Sequence, residues 1–105
     1  MSNDFEKIAN LNEIANGERK SVIIDDIPAL LIRQDDNYYA IEDVCTHDGQ
    51  PLTEGPINGC EITCPRHGAR FDLRTGAALC MPATEPITTF EIEVRDDGIY
   101  AKPND

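Results

Sequence analysis

Cys45-Thr46-His47 and Cys64-Pro65-Arg66-His67 are the places where this sequence sets sulfur and nitrogen ligands almost side by side. The chain holds only two histidines, and the pattern reads C-x-H, sixteen residues, then C-x-x-H. A lone histidine is more often a surface or core residue than a ligand. Two Cys/His pairs, each in a loop, point to a metal centre, because thiolate and imidazole bind both zinc and iron–sulfur clusters. Between Cys45 and Gly68 fall four of the seven glycines (Gly49, Gly55, Gly59, Gly68) and three of the seven prolines (Pro51, Pro56, Pro65). That density breaks regular strands and builds ordered loops. Glycine also lets backbone N–H groups come close to a bound group.

Zinc suits a tetrahedral set of two cysteines and two histidines. Zinc fingers, however, group the cysteines together and the histidines together, and build on a helix. Here each loop supplies one of each, and the surrounding pattern is strand and turn. A [2Fe–2S] core takes two thiolates on one iron and two imidazoles on the other. Iron–sulfur is therefore the expected centre, with zinc as the competitor.

Cys45-Thr46-His47-Asp48-Gly49 and Cys64-Pro65-Arg66-His67-Gly68-Ala69-Arg70-Phe71-Asp72 resemble the two cluster loops of the Rieske ferredoxins. Leu73-Arg74-Thr75-Gly76 resembles the turn that follows the second loop, and the likeness covers nearly the whole chain. It implies a single domain over residues 1–105, with cluster-binding loops at about 43–56 and 64–72. It also implies one [2Fe–2S] cluster, with Cys45 and Cys64 on the inner iron and His47 and His67 on the outer iron at the protein tip. Two thiolates leave the oxidised centre near neutral, whereas four would make it dianionic and harder to reduce. Backbone N–H groups around Gly49 and Gly68 would stabilise the reduced form further.

Departures from the respiratory branch of that family bear on potential. Gln50 and Arg66 stand where that branch has a disulfide between the loops, and Ala69 and Phe71 where it has Ser and Tyr hydroxyls that hydrogen-bond sulfur. The resemblance thus implies a low-potential centre, as in ferredoxins that serve aromatic-ring dioxygenases. The implied function is a soluble electron carrier between a flavin- or iron–sulfur-containing reductase and a terminal non-haem iron oxygenase. An oxygenase in its own right would need a second, mononuclear iron, typically on two histidines and a carboxylate. Both histidines are already used, so the chain is not read as an enzyme. The alternative function is a zinc-stabilised acidic interaction domain.

Composition narrows the partners. Acidic residues outnumber basic ones 20 to 9 in 105 residues, a formal net charge of −11. No basic footprint for nucleic acid is present. The acidity reads either as a solvated surface or as steering toward a basic partner site. The start Met1-Ser2-Asn3-Asp4-Phe5-Glu6 has no signal-like pattern, and no apolar run approaches a membrane span, so a cytoplasmic monomer is expected. Four cysteines in such a chain are expected as thiols, with Cys60 and Cys80 as small buried hydrophobes. Arg66, Arg70 and Arg74 either form a positive patch near the cluster or balance Glu42, Asp43, Asp48 and Glu54.

The loops need a frame, and the pattern for it is all-β: a small antiparallel sandwich or barrel carrying a cluster-binding subdomain of two loops. Lys20 to Ile24 and Ala29 to Arg33 are β-rich runs joined by a turn at Asp25-Asp26-Ile27-Pro28. Asp35-Asp36-Asn37 makes the next turn, into Tyr38 to Ile41. Phe90, Ile92 and Val94 alternate with charged residues, the period of a half-buried strand. Asp96-Asp97-Gly98 turns that strand into Ile99-Tyr100-Ala101. Cys60 reads as part of a strand, and only Leu11 to Asn16 hints at a helical turn.

Overall fold

A computed structural model of the chain describes residues 5–45, 51–65, 68–81 and 85–103. Among the described residues there are nine strands: β1 (Glu6–Ala9), β2 (Arg19–Ile24), β3 (Ile27–Gln34), β4 (Asn37–Glu42), β5 (Ile57–Asn58), β6 (Glu61–Thr63), β7 (Arg70–Asp72), β8 (Thr89–Arg95) and β9 (Gly98–Pro103). Six form one antiparallel sheet in the order β1-β9-β8-β4-β3-β2, and three form a small sheet in the order β5-β6-β7. No helix among the described residues is long and apolar enough to cross a membrane.

The turns are tighter than the sequence pattern indicates. Ile27 pairs with Ile24, and Asn37 with Gln34, so each hairpin loop is two residues long. Both loops need left-handed backbone, and Asp supplies it: Asp25 and Asp26 have φ of 52° and 65°, Asp35 and Asp36 of 53° and 67°. Such two-residue turns match the right-handed twist of the flanking strands. Ile27 and Pro28 therefore belong to β3. The helical turn expected over Leu11 to Asn16 is replaced by successive tight turns, because Asn12 takes φ of 62°.

β3 explains its own unbroken apolar run. Leu30 and Ile32 point to one face, where they join Ile41, Cys45, Leu52, Ile62, Cys64, Ala69, Phe71, Leu73 and Ile87 in the largest core patch. Ala29 and Leu31 point to the other face, toward Ala40, Phe90, Ala101 and Ile99. A strand covered on both faces reads as continuous hydrophobicity, whereas a half-buried one alternates. β8 does alternate at Phe90 and Ile92, but Val94 near the hairpin end is 53% exposed. The large sheet curls until its edges meet, so that Ile8 of β1 and Val22 of β2 pack against the same two core patches. The Glu6 side chain accepts a hydrogen bond from the Asp25 amide across that seam at 2.6 Å.

The small sheet is fastened by the turn after β7. Asp72 accepts the Arg74 amide at 2.7 Å, and Gly76 then donates to the Asp72 carbonyl at 2.7 Å and accepts from Ile87 at 2.8 Å. Gly76 has φ of 80°, and a Cβ there would overlap the Ile87 carbonyl oxygen. Gly76→Ala should lose about 3 kcal/mol, from left-handed strain plus overpacking, in denaturant unfolding. An unchanged midpoint would mean that this turn does not hold the small sheet.

Candidate metal centre

Cys45 follows β4 of the large sheet, and Cys64 follows β6 of the small one. Both are buried, at 0% and 1% exposure, in the same core patch between the sheets. The fold thus brings together two sulfurs that are far apart in sequence. None of the four cysteines is in a disulfide. His47 and His67 lie outside the described residues, as do Asp48, Gln50 and Arg66.

The first loop is closed at its base by Asp43. Its carboxylate accepts the Leu52 amide at 2.7 Å and the Thr53 hydroxyl at 2.5 Å. Its own amide donates to the Pro28 carbonyl at 3.0 Å, which fixes it to β3. From the other side, Arg19 of β2 donates to the Thr53 and Gly55 carbonyls at 2.9 and 2.5 Å. Gly55 then packs so tightly that a Cβ would overlap the Thr63 carbonyl oxygen, one residue before Cys64. The second loop closes on itself: the Cys64 amide donates to the Ala69 carbonyl at 2.7 Å, and the Gly68 amide to the Cys64 carbonyl at 3.1 Å. Sequence reading missed Asp43 and Arg19, since a carboxylate bonding nine and ten residues onward leaves no recognisable spacing.

Ala69 and Phe71 are fully buried in the patch that holds Cys45 and Cys64. Neither side chain has a hydrogen to donate to sulfur. The remaining arginines do not balance the acids beside the first loop. Arg70 pairs with Glu61, and Arg74 with Asp72. The Arg74 hydrogen bond holds the Asp72 carboxyl below its ordinary pKa, against an opposing effect of burial.

Cys60 and Cys80 differ from expectation: both are only half-buried and both have polar partners. Cys60 lies in the turn between β5 and β6, outside any strand, with its sulfur 3.7 Å from the Tyr39 hydroxyl. That contact, and then burial, raises the Tyr39 pKa. Cys80 accepts from Arg70 Nε at 3.4 Å and contacts the Gly68 carbonyl at 3.5 Å. The Arg70 hydrogen bond pulls its thiol pKa down, with desolvation opposing. Both cysteines lie outside the strands, Cys60 in a turn and Cys80 in the segment between β7 and β8.

Comparison with known proteins agrees with this geometry. Residues 4–91 match the family described as Rieske [2Fe-2S] domain. The chain is 40% identical over 85 residues to the 3-phenylpropionate/cinnamic acid dioxygenase ferredoxin subunit of Photorhabdus laumondii, covering 80% of this chain and 79% of that one. It is 41% identical over 73 residues to Ferredoxin CarAc of Metapseudomonas resinovorans, covering 70% and 68%. Among solved structures it resembles the ferredoxin of carbazole 1,9a-dioxygenase from Nocardioides aromaticivorans IC177, with TM-score 0.88, 29% identity, and 95% and 98% of the chains covered. It also matches a chain in a complex of reduced oxygenase and oxidized ferredoxin of carbazole 1,9a-dioxygenase, with TM-score 0.85, 31% identity and 95% of each chain covered.

The chain belongs to the Rieske [2Fe–2S] domain family, and its cofactor is one [2Fe–2S] cluster. Of the relatives named above, the Photorhabdus protein is a dioxygenase ferredoxin subunit and CarAc is a ferredoxin. The two buried cysteines, brought together from separate sheets, fit the thiolate half of such a centre. Two thiolates would suit zinc equally well, and it is the family match that decides for the cluster.

Hydroxyls placed at the two silent positions should be felt by the cluster. Ala69→Ser and Phe71→Tyr should each raise the midpoint potential by a several-fold change in the reduction equilibrium, where tenfold is about 59 mV for one electron. Redox titration of purified protein measures this. An unchanged potential in both variants would show that these side chains do not reach the sulfurs.

Proposed function

We propose that this protein carries single electrons from a reductase to a terminal non-haem iron oxygenase, on a cluster held by Cys45, His47, Cys64 and His67. The observation that carries the proposal is the burial of Cys45 and Cys64 in one core patch, at the roots of two loops that each carry a histidine. When bound, the cluster supplies reversible one-electron chemistry. The protein's part is to hold the thiolates away from water and to keep the imidazoles toward a partner. With both histidines committed, and the core filled by side chains, the chain works as a carrier and not as an oxygenase.

Support for an oxygenase partner comes from the relative in the carbazole 1,9a-dioxygenase complex. The surface near the second loop suits docking. The contact between Cys80 and the Gly68 carbonyl sets Leu79 and Met81 beside that loop, and these are 42% and 73% exposed. The reductase is flavin- or iron–sulfur-containing, and the carrier is a cytoplasmic monomer whose two sheets act as one domain. Acidic residues guide its encounters.

The test is stopped-flow electron transfer to a cognate oxygenase as ionic strength rises. Exposed charges are screened over roughly 8–10 Å at physiological salt, so steering should fade with added salt. Rates should fall, and fall again on neutralising Asp48 or Glu54. A rate indifferent to salt would leave the acidity as a solubility feature, and failure to reduce any Rieske oxygenase would overturn the carrier role.

A further inference from the structure

Asp43 stands in an unusual position for a carboxylate, half-buried and two residues before Cys45. Two residues of chain span at most about 7 Å, so its charge lies close to whatever the Cys45 sulfur binds. Its two oxygens are taken up by the Leu52 amide and the Thr53 hydroxyl, which fix its orientation against the first loop while it stays partly open to solvent. Arg19 grips the same segment from the opposite side, through the Thr53 and Gly55 carbonyls. Thr53 is therefore held between an anion and a cation, its hydroxyl on one and its carbonyl on the other.

We infer that Asp43 is a positioning residue with two effects on the centre: it closes the first cluster loop, and its negative charge holds the reduction potential down. Reduction adds one electron to the centre, and a fixed anion nearby opposes that added charge. The cation of Arg19 opposes the anion, so the two residues pull the potential in opposite directions. At an effective dielectric of about 20 and a separation of roughly 10 Å, one unit charge changes the reduction equilibrium by about tenfold. The low potential implied by Ala69 and Phe71 would then have a second source, which lies in the frame and not in the loops. The inference rests on Cys45 being a ligand, as proposed above.

Three variants separate closure from charge. Asp43→Asn keeps an acceptor for the Leu52 amide, and its amide group can donate to the Thr53 hydroxyl, so the loop stays closed while the charge goes. Its midpoint potential should rise by about tenfold in the reduction equilibrium, or about 59 mV for one electron. Arg19→Gln should shift the potential the other way. Asp43→Ala should lose its iron to a chelator several-fold faster than Asp43→Asn. A merely structural role would move the potentials of the Asn and Gln variants in the same direction, or move neither, and either result overturns the charge effect. Equal chelator lifetimes for Asp43→Ala and wild type overturn the closure. A wild-type protein without a histidine-ligated cluster would instead refute the ligand assignment itself, a different and separately visible failure.

Discussion

Cys45 and Cys64 hang from different sheets, and the cluster proposed to bind both would leave little freedom in their separation. Much of the rest of the structure serves that constraint. The two sheets share one apolar patch, in which Leu30, Ile32 and Ile41 of the large sheet meet Ile62 and Phe71 of the small one and Leu73 of the turn after it. Around this patch the loop bases are fixed by directional bonds. Asp43 and Arg19 hold residues 52–55, the close approach of Gly55 to Thr63 joins that segment to the second loop, and Cys64 and Ala69 close the second loop upon itself. Apolar packing sets the distance between sheets, and the polar ties set the register of the loops.

Much of this was legible in the sequence, for reasons that differ by feature. The proposed ligand pattern stands out because each loop carries a cysteine and a histidine within a few residues. The strands were readable from their period, and β3 from its unbroken run, since both of its faces are covered. Turn boundaries were misplaced by one or two residues. In a two-residue hairpin only the Asp pair leaves the strand, while Ile27, Pro28 and Asn37 keep extended backbone. The roles of Asp43 and Arg19 were invisible, because a bond from one loop root to the far end of that loop depends on the fold. Cys60 and Cys80 were misread for a related cause: free cysteine favours cores, but here both lie outside the strands and are only half-buried.

The acidity also divides once the fold is known. Asp25, Asp26, Asp35 and Asp36 occupy left-handed positions that most side chains adopt at a cost, so these four of the 20 acidic residues serve the turns. Asp43 and Asp72 are consumed by backbone amides near the centre. The exposed set available for steering includes those four turn aspartates, and Glu54 beside the first loop. The same net charge therefore contains turn chemistry, loop closure and a long-range field, and only the last depends on salt.

The claim on which the account turns is that two imidazoles and two thiolates hold the cluster. Pulsed EPR of the reduced protein reads this directly, because a histidine nitrogen bound to the reduced iron couples to the unpaired spin. The account predicts two such nitrogen couplings, with one removed when His47 or His67 is replaced in a variant that still assembles a cluster. A reduced centre with no directly bound nitrogen, and the higher average g of four-cysteine ligation, would contradict it.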